Sequence, residues 1–156
     1  MAPPGEICKP LLYEYMETRN IFSDLPPDLK EEVFETIAGS PDIRIERIVS
    51  LGHSSPPGFW YDQPLDEWVI VLRGAARIVI DQEQRVLHLG PGDHVVLPAH
   101  VRHRVEWTDP REHTVWLAVH FKDRTGTPSH IPEAHLYVGN TRVSQGRRID
   151  EYKRCR

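Results

Sequence analysis

Cysteine is scarce: of 156 residues only Cys8 and Cys155 carry a thiol, and they lie at opposite ends of the chain. A disulfide framework is thereby excluded as the organising principle. Two free thiols in a reducing compartment are expected. Long hydrophobic runs are also missing, since no stretch approaches the roughly 20 apolar residues that span a bilayer. The opening "MAPPGEICKP" has no basic stretch leading into an apolar core, so no secretory leader is expected there. There is no basic surplus either. Nineteen Lys and Arg stand against 23 Asp and Glu, a formal charge of −4. Nucleic acid, which demands clustered cations, is therefore not an expected partner. No G-x-S-x-G elbow, phosphate-cradling glycine loop or Cys-x-x-Cys pair occurs, and no internal repeat or low-complexity block. These absences point to a cytoplasmic protein with no membrane contact.

What is present in quantity is punctuation. Fourteen prolines and ten glycines are spread along the whole chain, which cuts it into many short elements and favours β architecture. The length suits one domain with a sizeable core. Residues 1–20 form a weakly patterned N-terminal arm. Residues 21–42 are expected to hold a helix covering the sheet. Ser23 or Asp24 would cap it, Pro26 and Pro27 would suit its first turn, and Leu29, Val33, Phe34 and Ile37 would form its stripe. Gly39 and Pro41 would stop it. From residue 43 the period becomes that of strands. Candidates are 43–50, 58–62, 66–73, 75–81, 84–89, 94–98, 102–107 and 113–121, separated by Gly74, Gly90-Pro91-Gly92, Pro98 and Asp109-Pro110. So many strands with no helix between them predict a small all-β antiparallel barrel or jelly roll over 43–121. Strands 66–73 and 113–121 are apolar on both faces, so both of their sides should be covered. Beyond Phe121 the pattern fades into a wrapping segment and a basic tail, 122–156.

Chemistry concentrates on two strands. In "RHRVEW", His103, Val105 and Trp107 alternate with Arg102, Arg104 and Glu106, so a period of two turns His103 inward and its charged neighbours out. In "DEWVIVLRG", parity places Glu67 with Val69 and Val71. A carboxylate on such a strand needs a partner, because an unpaired buried charge is costly. An inward carboxylate and an inward imidazole on two strands of one barrel are the minimum of a metal or acid/base site. Trp60, Tyr61, Trp68 and Trp107 read either as core or as a pocket wall for a flat or sugar-like ligand. His88, His94, His113, His120, His130 and His135 read as structural or surface residues.

Here the sequence resembles the cupin family. "PGDHVVLPAHVRHRV" follows the family's second motif from Gly92 through Pro98 to His103, with His100 where the motif has glycine and Trp107 where it has asparagine. Glu67 and Gly74 keep the spacing of the first motif, whose paired histidines are absent. In the family a metal is held by that histidine pair, the glutamate and the second-motif histidine. Carried over, the resemblance leaves Glu67 and His103. The vacated pair falls on Trp60 and Asp62 in one alignment and on Tyr61 and Gln63 in the other. Asp62 or Gln63 would donate an oxygen, with His53 and His100 as substitute ligands.

Three functions stay open at this point. One is an enzyme working on a small molecule at a weakly held divalent ion (iron, manganese, nickel or zinc) on Asp62, Glu67, His103 and, in part, His53 or Gln63. Another is a metal-free binding or sensor module whose ligand rests against Trp60, Gln63 and Trp107. The third is a metal-free isomerase or epimerase using Tyr61, Glu67 and His103 as acid and base. A homodimer is expected, since many cupins resemble that arrangement.

Overall fold

Pro41 and Asp42 reverse the chain between two eight-residue strands, β1 (Val33–Ser40) and β2 (Ile43–Ser50), paired from Ser40↔Ile43 to Val33↔Val49. This hairpin stands where the helix over 21–42 was expected. The stripe that suggested a helix has a different cause. A bulge between Thr36 and Ala38 inserts Ile37 into the ladder and shifts the alternation by one residue. The interrupted period of two then mimics helical spacing, while Val33, Thr36 and Ile37 are β-branched and suit a strand. In this computed structural model, which describes residues 17–122 and the backbone of 136–138 and 141–143, no described residue is helical. None therefore forms a helix long and apolar enough to cross a membrane. The expected arm over 1–20 and the tail beyond 122 fall largely outside the described residues.

The remaining strands follow the sequence reading within a residue or two. They are β3 (Asp66–Arg73), β4 (Ala76–Ile80), β5 (Arg85–Leu89), β6 (His94–Leu97), β7 (His103–Thr108) and β8 (Thr114–Phe121). Two short strands, β9 (Leu136–Val138) and β10 (Thr141–Val143), pair with each other. The expected strand at 58–62 contributes a single bridge, Tyr61↔His103. The ladders are antiparallel, in a five-stranded sheet of order β1-β2-β8-β3-β6 and a three-stranded sheet of order β5-β4-β7. Strands β8 and β3, the two apolar on both faces, are interior strands of the larger sheet.

Between the sheets lies a core of Val69, Val71, Ala76, Ile78, Leu97 and Trp116 with their neighbours. On the outer side of β2, residues 17–32 form a covering loop. Arg47 anchors it through bonds from Nη1 to the carbonyls of Ile21 and Ser23, while Nη2 pairs with Glu35 at 2.7 Å. The family-spaced Gly74 ends β3 at a φ of +77°, where a Cβ would sit 2.7 Å from Thr114 Cα. Only glycine lets the β3–β4 turn lie this close to β8.

Candidate functional site

Register places the polar groups in a row. Across the large sheet, Arg44 of β2 opposes His120 of β8, His120 opposes Glu67 of β3, and Glu67 opposes Leu97 of β6. Two residues further along, Glu46, Ala118 and Val69 share a level. Beyond them come Ile48, Trp116 and Val71. Residues opposed in this way project to the same face. One end of the sheet interior is thus ionisable and the other apolar. The facing sheet repeats the arrangement, with His103 beside Ile80 and Val105 beside Ile78. Together they enclose a cavity of about 400 Å³ whose wall includes Glu67, His103, His120, Glu46, Tyr61 and Gln63.

Glu67, 8% exposed, accepts a hydrogen bond at Oε2 from Gln63 Nε2 at 2.7 Å. His103, 5% exposed, points Nε2 at the same oxygen from 3.6 Å. Its Nδ1 donates to the Val101 carbonyl at 2.9 Å, which leaves Nε2 as the acceptor when the ring is neutral. Tyr61 stacks on His103 with centroids 5.4 Å apart. Burial, with Glu32 and then Glu67 nearby, raises the Tyr61 phenol above its ordinary 10.0, so it remains a proton donor.

A second imidazole–carboxylate couple faces the same space. His120 Nε2 lies 3.2 Å from Glu46 Oε2, and Arg44 Nε holds Glu46 Oε1 at 2.9 Å. His120 Nδ1 is buried and makes no hydrogen bond. Trp116 Nε1 donates to Ser50 Oγ at 3.1 Å, and Ser50 donates to Glu32 at 2.6 Å.

The structure selects between the two alignments of the vacated histidine pair. Tyr61 and Gln63 face the cavity; Trp60 and Asp62 do not. Asp62 lies outside, bound to His100 Nδ1 at 3.0 Å. Trp60 lies under the guanidinium groups of Arg102 and Arg104, at 5.6 and 5.3 Å. His53 is held in its own loop, its Nδ1 accepting from the Leu51 amide at 2.9 Å. Trp107 is turned away by a second bulge. Ile78 pairs with Val105 but Arg77 pairs with Trp107, which leaves Glu106 extra. The strict alternation read from "RHRVEW" therefore holds for His103 and Val105 and breaks before Trp107, which packs under Arg77 at 5.2 Å. Trp68, on the other face of β3 from Glu67, tilts against His94.

The wall residues missed by sequence reasoning are Glu32, Arg44, Glu46 and His120. On β2 the alternation Arg44, Glu46, Ile48 reads as a solvated stripe, and on β8 apolar residues on both faces hide parity. The usable signal was the step of two from Trp116 through Ala118 to His120.

The family's metal calls for two further imidazoles, and the positions that face the cavity offer a phenol and an amide instead. A phenol is an uncommon metal ligand that must give up its proton to bind, and the amide nitrogen is turned toward Glu67. Glu67 and His103 remain at the family's positions, while His120 and Glu46 of the same wall pair with each other. Among the described residues no three His, Cys, Asp or Glu side chains form a metal-holding group. This donor set does not fit a four-ligand transition-metal centre.

Residues 49–120 match the Cupin domain family. The "putative mannose-6-phosphate isomerase" of Ralstonia eutropha JMP134 is 46% identical over 69% of this chain and 100% of its own, with a TM-score of 0.67. A cupin superfamily protein of Desulfitobacterium hafniense DCB-2 shares the fold at 22% identity, 77% and 94% coverage and a TM-score of 0.51. A Streptococcus pyogenes protein of unknown function does so at 22% identity, 70% and 90% coverage and a TM-score of 0.56. No curated protein matches the chain. With that family match, the full-length similarity to the Ralstonia protein and the two facing antiparallel sheets, the chain belongs to the cupin family.

Proposed function

We propose that this cupin binds a small polar molecule in the cavity between its sheets, through the side chains of Tyr61, Gln63, Glu67 and His103 and without a resident metal. One observation carries the reading. The Glu67 carboxylate is held by Gln63 at 2.7 Å and faces His103 at 3.6 Å, inside a cavity of about 400 Å³. That volume lies within the range of small-molecule sites, and a few convergent polar groups over an apolar floor are their usual composition. A divalent ion entering the cavity would find Glu67 and His103 3.6 Å apart, with Glu46 and His120 already paired to each other, and among the described residues no three such side chains converge to hold it.

Thermal shift with sugars, nucleotides and small acids, in the presence of a chelator, tests the proposal. A stabilising compound should lose its effect in His103→Ala and Glu67→Gln and keep it with chelator present. Stabilisation that survives both substitutions, or that chelator abolishes, contradicts the reading.

A second reading, a metal-free isomerase, is favoured by the 3.6 Å approach of His103 Nε2 to Glu67 and by the name of the Ralstonia relative. Proton transfer between adjacent carbons of a hydroxy-carbonyl compound needs such a pair. Exchange of a sugar's carbon-bound hydrogen with deuterium from solvent, lost in either variant, would establish it.

A further inference from the structure

The cavity wall is unbalanced in charge. Three carboxylates, Glu32, Glu46 and Glu67, line it against one guanidinium, Arg44. Arg44 is already engaged with Glu46 at 2.9 Å. Carboxylates thus outnumber the fixed cation in a partly desolvated space, where charges interact more strongly than in water.

Hydrogen bonding points the same way. Neutral His103 turns an acceptor nitrogen toward an acceptor oxygen of Glu67, 3.6 Å away. Two acceptors so placed are satisfied by one group carrying more than one proton, as an ammonium does. His120, 5% exposed in the same wall, has an Nδ1 with no partner. In the tautomer that donates from Nε2 to Glu46, this is a further acceptor. Phe34, Tyr61 and Trp116 add aromatic rings to the same lining. A phosphate would meet three carboxylates and find its one guanidinium occupied.

We infer that the cavity selects a small amine-bearing cation over a neutral analogue, and rejects a phosphorylated one. The inference rests on the proposed small-molecule site and names the ligand class for it. It sets this chain apart from the substrate in the Ralstonia relative's name.

Calorimetric titration of the full chain with mannosamine, mannose and mannose 6-phosphate at neutral pH tests it. These probes share one ring and differ in charge. Mannosamine should bind about tenfold more tightly than mannose, with mannose 6-phosphate weakest, since one added ion contact of moderate strength is worth about that factor. Glu32→Gln and Glu67→Gln should each narrow the gap. Mannose 6-phosphate binding as tightly as mannosamine, or a gap unchanged in both variants, overturns the charge preference and leaves the cavity reading standing. Silence from all three sugars, together with no thermal shift from the wider panel, removes the cavity reading and this inference with it.

Discussion

Tyr61 and His103 exchange two backbone hydrogen bonds, Tyr61 N to His103 O at 2.8 Å and His103 N to Tyr61 O at 3.2 Å, and their rings stack at an interplanar angle of 22°. This pairing adds Tyr61 to the edge of the smaller sheet beside β7 and fixes which residues of "WYDQ" face the cavity. Tyr61 turns inward, Gln63 follows by parity, and Trp60 and Asp62 face away.

The raised Tyr61 phenol has a consequence for alkaline stability. A proton held more tightly in the folded than in the unfolded chain contributes stability that is fully present below the ordinary phenol value of 10.0. That contribution is lost as pH rises through the higher folded value. Absorbance titration should show a phenol ionising above 10.0 that is missing in Tyr61→Phe. Between 10.0 and that higher folded value, stability should fall less steeply with pH in the variant. A difference titration between wild type and Tyr61→Phe centred at or below 10.0 would contradict the placement.

Gly74→Ala should be destabilising by about 2–4 kcal/mol, since the substitution combines an unfavourable φ with a backbone clash. The contacts are severe, 2.7 Å to Thr114 Cα and 2.8 Å to the His113 carbonyl. Denaturant unfolding monitored by tryptophan fluorescence checks this. A change under about 0.5 kcal/mol, the range of ordinary surface substitutions, would mean that the β3–β4 turn does not approach β8 as described.

His100 stands where the family motif has glycine, and the reason is visible in its φ of +62°. It sits in the turn that Pro98 and Val101 close with a 3.0 Å hydrogen bond. His100→Gly removes the cost of that conformation and loses an exposed contact with Asp62, which is worth little. The variant should be as stable as the wild type or more stable by up to about 1 kcal/mol. Clear destabilisation would show that the Asp62 contact outweighs the backbone strain.

Much of the fold was legible because strand parity is a strict code. Glu67 with Val69, and His103 with Val105, project inward as alternation required. Legibility failed where a single extra residue broke the code. Ile37 made β1 resemble a helix, and Glu106 turned Trp107 out of the barrel. Such bulges depend on how two strands meet, and neither strand records that alone. The second couple, His120 with Glu46, escaped for a related reason. Glu46 lies between Arg44 and Ile48 on its face of β2, and only its pairing with β8 shows that this stripe faces inward.

The central claim is that phenol and amide at Tyr61 and Gln63 have replaced a metal centre with a hydrogen-bonding ligand site. Its most direct test is elemental analysis of untagged protein, as purified and after dialysis with manganese, iron, nickel or zinc, beside Glu67→Ala and His103→Ala. The account predicts far less than one ion per chain in the wild type, at levels the two variants share. One ion per wild-type chain, lost together in both variants, would contradict it.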